Sequence, residues 1–200
     1  RGRSLLHAAR RGEREARLTW SPPAGLGDGG TLPPGVTYQL LRSESQGGPF
    51  HPVATTPINS TAFTDSGLRN EQTYSYAVRA VRSEATGSAR SEPSTIVAAT
   101  PVDLTPPSPP KNLVAVPSEA AIRLAWDPSP EDDVAGYLVY RSGPTGSEAV
   151  RLPPTPIPNT IYTDRTVIRG ATYRYVVTAV DRAARPNESY PSAPAIVAVP

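Results

Sequence analysis

Two stretches of the chain repeat each other 99 positions apart: QTYSYAVRAV at residues 72–81 and ATYRYVVTAV at residues 171–180. Each alternates with period two. Tyr74, Tyr76, Val78 and Ala80 share one face of the first, and Tyr173, Tyr175, Val177 and Ala179 share one face of the second. A period of two belongs to a strand with one side buried, whereas an amphipathic helix repeats its apolar positions every three or four residues. The repeat divides the 200 residues into two similar halves, so two domains are expected. A domain of about 100 residues buries roughly 60–70% of its unfolded surface and can hold one core without staples. None is offered, because the chain has no cysteine. Disulfides, thiol catalysis and cysteine metal sites are excluded, while the compartment stays open.

Other segments repeat in the same order. EARLTW at residues 15–20 and AIRLAW at residues 121–126 put Ala16, Leu18 and Trp20, or Ile122, Leu124 and Trp126, on one face. VTYQLLR at residues 36–42 matches AGYLVYR at residues 135–141, and Ala62–Asp65 matches Ile161–Asp164. The Thr-Asp closing that last pair reads as a strand end starting a turn. Short proline-broken stretches lie at residues 50–54 and 149–152. Polar loops are expected at residues 82–93 and 181–191, and last strands at 94–99 and 193–199. Residues 1–12 could form a first edge strand or begin a helix, since Leu, Ala and Arg favour one. Aligning Trp20 with Trp126 lays residues 7–10 on the strand-like 113–116 and argues for the strand. Seven short strands per half result, with domains at 1–101 and 111–200 and a proline-rich linker at 102–110.

Twenty-five prolines and 15 glycines with 6% aromatic residues would suit disorder, but the prolines fall between the alternating segments, as in an all-β chain with many turns and edges. Lys111 is the only lysine against 19 arginines, which reads as the base composition of a bacterial genome. The net charge of +2 is too small to indicate nucleic acid, and no apolar run approaches a membrane span. The chain does not begin with methionine, so it is expected to be a piece of a longer protein, with any targeting segment outside it.

The order of Trp strand, GY-x-VYR, YTD, a hydrophobic residue six positions before TY-x-Y-x-V-x-A, then Pro-Ser and a last strand resembles the fibronectin type III module, in its bacterial form, twice over. The resemblance covers nearly the whole chain and departs only at the first strand of the first copy. It implies two tandem seven-stranded antiparallel immunoglobulin-like sandwiches, the all-β class that strand number and spacing also support. It implies a structural core containing Trp20, Tyr38, Tyr74, Trp126, Tyr137 and Tyr173. Tyr74 and Tyr173 would be tyrosine corners, anchored by Leu68 and Val167. The resemblance carries no catalytic residue. Bacterial versions occur as spacers in secreted enzymes and in envelope proteins and lipoproteins, so spacing, docking or adhesion is the expected work.

The remaining polar side chains offer little chemistry. Glu131, Asp132 and Asp133 could offer oxygen ligands to calcium but lack the alternating spacing of a calcium loop. His7 and His51 fall in different strands with no nucleophile nearby, and the glycine-rich residues 25–30 run into proline, not a helix. No catalytic, cofactor or metal site is expected. Arg1, Arg3, Arg10, Arg11, Arg14 and Arg17 form a basic segment, read mainly as a solvated edge. One surface stands out. If the third and sixth strands of the second copy are neighbours, their outer face carries Leu138, Tyr140, Val176, Thr178 and Val180, more apolar than Gln39, Leu41, Ala77, Arg79 and Val81 in the first. An open patch of that kind is expected to meet a protein partner or a neighbouring domain. Loops at residues 22–35, 43–49, 82–91 and 181–190 are further candidate surfaces. The leading function is a non-catalytic interaction module of an exported cell-envelope protein or lipoprotein. The alternative is an accessory spacer of a secreted polysaccharide-degrading enzyme. Carbohydrate binding is disfavoured, since only Tyr140 and Tyr190 remain as exposed rings.

Overall fold

The computed structural model describes residues 3–25, 30–31, 34–85, 87–143 and 148–200, and the chain divides into two compact units, Arg1–Asp103 and Leu104–Pro200. The first unit holds β1 (Leu5–Gly12), β2 (Glu15–Ser21), β3 (Thr37–Ser43), β4 (His51–Pro52), β5 (Ala62–Ser66), β6 (Tyr74–Glu84), β7 (Gly87–Arg90) and β8 (Val97–Ala99). The second holds β9 (Lys111–Pro117), β10 (Ile122–Asp127), β11 (Val134–Ser142), β12 (Val150–Arg151), β13 (Ile161–Asp164), β14 (Thr172–Asp181) and β15 (Ala195–Ala198). All pairings are antiparallel.

In the first unit a sheet ordered β1-β2-β5 faces a sheet ordered β4-β3-β6, with β7 and β8 both on the far edge of β6. In the second, β13-β10-β9 faces β12-β11-β14-β15. Alternation decides which side chains enter each core. Leu6, Ala16, Leu18 and Trp20 from one sheet meet Tyr38, Leu40, Tyr74, Tyr76, Val78 and Ala80 from the other. Ile122, Leu124 and Trp126 meet Tyr137, Val139, Tyr173, Tyr175, Val177 and Ala179. Each tryptophan sits edge-on to its tyrosine, Trp20 to Tyr38 at 5.5 Å and Trp126 to Tyr137 at 5.6 Å between ring centroids. Gly136 is required by close approach: a Cβ there would lie 2.7 Å from the Ile157 carbonyl oxygen.

The first residues are a strand, as the alignment of the two tryptophans argued, and β1 turns directly into β2 with Gly12 opposite Glu15. The expected loop at residues 82–93 is instead largely a hairpin. β6 runs on to Glu84 and pairs with β7 from Val81↔Arg90 to Glu84↔Gly87. The reason is backbone pairing alone: most of these residues are exposed, so no apolar alternation announces them. The last strands are shorter than expected, because the seventh strand of each sandwich is interrupted. β7 and β8 are two pieces of one strand along the same edge of β6.

The interruption has the same chemistry in both units, the sequence Ser-x-Pro-Ser at residues 91–94 and 189–192. Proline supplies no N–H to a ladder, and serine hydroxyls stand in for backbone acceptors. Ser91 and Ser94 Oγ accept the Ala80 and Val78 N–H groups, each at 3.0 Å. Ser189 and Ser192 Oγ accept those of Ala179 at 2.9 Å and Val177 at 3.0 Å. Each hydroxyl donates its own proton to the carbonyl of the next residue. Ser192→Ala would strand the N–H of the wholly buried Val177. It is expected to cost the second unit about 1–3 kcal/mol, read as a lower urea midpoint at unchanged slope. An unchanged midpoint would mean that another acceptor replaces the hydroxyl.

Candidate functional site

The outer face of β11 and β14 is built as expected in register but not in exposure. Gly136↔Val180, Leu138↔Thr178 and Tyr140↔Val176 are direct partners, so Leu138, Tyr140, Val176, Thr178 and Val180 do share a face. That face is closed: Leu138 is 4% exposed, Val176, Thr178 and Val180 are also buried, and Tyr140 is half-buried. Glu188 contributes to the closure. It stands opposite Val180 on the interrupted edge strand, and its Oε1 accepts bonds from the hydroxyls of Tyr140 and Thr178, both at 2.7 Å. For the Tyr140 hydroxyl to reach that oxygen its ring must lie across the Leu138–Thr178 row. Burial, and then the bond to Glu188, raise the Tyr140 pKa, so the phenol stays a donor. The first unit covers the same place with Arg79, whose guanidinium bonds Gln39 Oε1 at 2.6 and 2.9 Å. The expected open apolar patch is thus absent from this face.

A second constellation escaped the sequence reading. Asp65, at the end of β5, accepts the Tyr76 hydroxyl at 2.7 Å and Arg42 Nη1 at 3.1 and 3.2 Å. In the second unit Asp164 accepts the Tyr175 hydroxyl at 2.9 Å and Arg141 Nη1 at 2.7 Å. It also accepts the N–H and hydroxyl of Thr166, at 2.9 and 2.7 Å. The aspartate comes from one sheet, the tyrosine and arginine from the other, so each trio locks the two layers together. Each arginine also lies over a tyrosine, Arg42 5.4 Å from the Tyr74 ring centre and Arg141 5.0 Å from that of Tyr173. Burial opposes ionisation of Asp164, but the bonds from Thr166, Tyr175 and Arg141 outweigh it and hold its pKa below the ordinary value. Burial, then the aspartate neighbours, push Tyr76 and Tyr175 far above the ordinary phenol range. These groups are spent on one another and offer nothing to a substrate. The signal in the sequence was parity: Asp65 falls on the same side of β5 as the partly buried Phe63.

The predicted corners have the geometry their role requires. The Tyr74 hydroxyl accepts the Arg69 N–H at 3.0 Å, and that of Tyr173 accepts the Ile168 N–H at 3.1 Å. Trp20, Tyr38, Tyr74, Trp126, Tyr137 and Tyr173 are all buried. Among the described residues no group of three or more His, Asp or Glu side chains could hold a metal ion. Glu131 Oε1 is taken up by the N–H and hydroxyl of Ser108, and the carbonyls of Asp132 and Asp133 accept from Arg182. His7 bonds Ser21 Oγ at 2.6 Å from β1, and His51 lies in β4. The loop at 181–190 is ordered around Asp181, which accepts the N–H groups of Ala183 and Asn187. Residues 26–29 and 32–33 of the first long loop and Arg1 of the basic segment lie outside the described residues, as does residue 86. Among the described residues no helix is long and apolar enough to cross a membrane.

Two interlocked antiparallel sheets with this strand order, a Trp–Tyr pair and a tyrosine corner in each unit define an immunoglobulin-like sandwich. No family model matches the chain. A solved Fn3-like protein from Clostridium thermocellum is 34% identical, covers 48% of this chain and is itself covered to 96%, with a TM-score of 0.41. The chain belongs to the fibronectin type III family, in tandem. Among curated proteins it is 32% identical over 138 residues to Exoglucanase B of Cellulomonas fimi, covering 66% of this chain and 12% of that protein. It is 32% identical over 98 residues to an amylopullulanase of Thermoanaerobacterium saccharolyticum, covering 46% of this chain and 7% of that protein. The chain therefore spans only a small part of these relatives.

Proposed function

We propose that the chain is a non-catalytic accessory region of an exported bacterial polysaccharide-degrading enzyme, with a module at residues 1–101, a proline-rich join at 102–110 and a module at 111–200. The observation that carries this reading is the 138-residue likeness to a part of an exoglucanase, a stretch longer than one module. It is supported by the chemistry of the buried charges, since Asp65 and Asp164 are engaged by groups of the facing sheet and hold the layers together. A module of this kind acts by setting the distance between a catalytic domain and what anchors it.

The test compares the complete enzyme with and without residues 1–200 on an insoluble glucan and on a soluble oligosaccharide. Shortening is expected to slow attack on the insoluble substrate and leave the soluble one unchanged. Equal rates on the insoluble glucan, or a reading frame with no polysaccharide-hydrolysing domain, would overturn it.

A second reading, an interaction module of a cell-envelope protein or lipoprotein, is favoured by one observation. Val114, Val116 and Ile161 are exposed on β9 and β13, flanking exposed Ala125 of β10. A protein partner would use that face, since the face of Leu138 and Val176 is closed.

A further inference from the structure

The outer faces of the two modules also differ at the end of the sheet away from Arg79 and Thr178. Across β3, β6 and β8 the first has Ser43, Ser75 and Ala98 side by side. In the same register across β11, β14 and β15 the second has Ser142, Arg174 and Ile196. Small residues in the first module leave a groove of about 670 Å³, bordered by Glu44, Gln46, Gln72 and the exposed Ile96, with Ser75 and Ala98 in its lining. That volume is within the range of ligand sites, about 300–1,000 Å³. Thr73 and Glu44 of its lining are taken up by Thr100 and Arg42, while the side chains of Gln46, Gln72 and Ser75, the last 6% exposed at the floor, make no hydrogen bond to the described residues. Two carboxamides and a hydroxyl give donors and acceptors together, and no cation is among the lining residues.

We infer that this groove binds a segment of a neutral polysaccharide. A sugar ring presents adjacent hydroxyls, each both donor and acceptor, and a carboxamide can serve two of them at once. Ile96 offers an apolar wall to the C–H face of a ring. An anion would find no positive partner here. The class of ligand rests on the accessory-region reading above.

The experiment is a titration of the two-module protein with cellohexaose and, separately, maltohexaose, followed by amide chemical shifts. Shifts are expected at Gln46, Gln72, Ser75 and Ile96 with one or both sugars. The variant Ser75→Arg with Ala98→Ile imports the second module's own residues at the same register, so it is expected to fold while losing at least tenfold in affinity. Its amide spectrum and melting temperature check the fold. No shifts in the groove with either sugar, shifts confined to other surfaces, or unchanged affinity in a folded variant would overturn the inference. None of these would touch the spacer reading, which stands or falls on the deletion experiment.

Discussion

Asp164→Ala is expected to destabilise the second module by about 3–5 kcal/mol, the cost of removing one member of a buried ion pair and leaving the other uncompensated. Asp164 is 2% exposed and accepts from Arg141, Tyr175 and Thr166. Its loss leaves a fully buried tyrosine hydroxyl without its acceptor and a mostly covered guanidinium without its counter-charge, held by the Thr166 carbonyl and hydroxyl. Calorimetry should show one transition moved down and one unchanged, because the first module has its own lock at Asp65. The acid limb follows with a definite sign. The pKa of folded Asp164 is depressed below its ordinary value of 3.8, so its stabilisation is complete above that value and is lost as pH falls through the folded one. Wild-type protein should therefore lose second-module stability below about pH 4, and Asp164→Asn should be less stable at neutral pH with a flatter acid dependence. Parallel acid curves for wild type and Asp164→Asn would mean that this carboxylate is not the group responsible.

Strands whose faces differ in environment could be located from the sequence, because burial imposes period two. Residues 74–80 and 173–179 are of this kind, and so is the weak first strand once Trp20 was aligned with Trp126. Strands with two exposed faces could not. β7 carries Gly-Ser-Ala-Arg and is held by backbone bonds, for which side-chain pattern is no guide. The locks were half legible. Asp65 and Asp164 have inward parity, yet Thr-Asp is also good turn chemistry, and the partners lie 11 and 23 residues away on other strands. The composition of the outer face of β11 and β14 was read correctly and its exposure was not. What helps to close it is Glu188, in a polar segment without periodicity, whose register against Val180 depends on a strand broken by proline and rejoined by serine hydroxyls. The groove in the first module follows the same logic: alternation places Ser75 outward, but only the pairing with Ser43 and Ala98 shows three small residues in a row.

Trp126→Ala is expected to cost about 3–5 kcal/mol through lost packing and the cavity left behind, and Trp126→Phe far less. Trp126 is buried where the two sheets of the second module meet, edge-on to Tyr137 and beside Leu124 and Ile122. Tyr137 is itself fixed, since its hydroxyl accepts the Ser129 N–H at 3.0 Å, so it cannot readily collapse into the space. The contrast between the two variants comes from the ring, since both remove the indole nitrogen and only phenylalanine keeps an aromatic ring against Tyr137. Among the described residues Trp126 Nε1 is buried with no hydrogen-bond acceptor, and so is Trp20 Nε1 in the first module. An unpartnered buried donor opposes folding, so these tryptophans are held by area and shape against the cost of their own polar atom. Phenylalanine removes that donor while keeping a ring against Tyr137, and the two effects offset. Thermal melts of the two variants decide the matter. A Phe variant as unstable as the Ala variant would show that a ring at this position contributes no packing, and an Ala variant near wild type would remove Trp126 from the core.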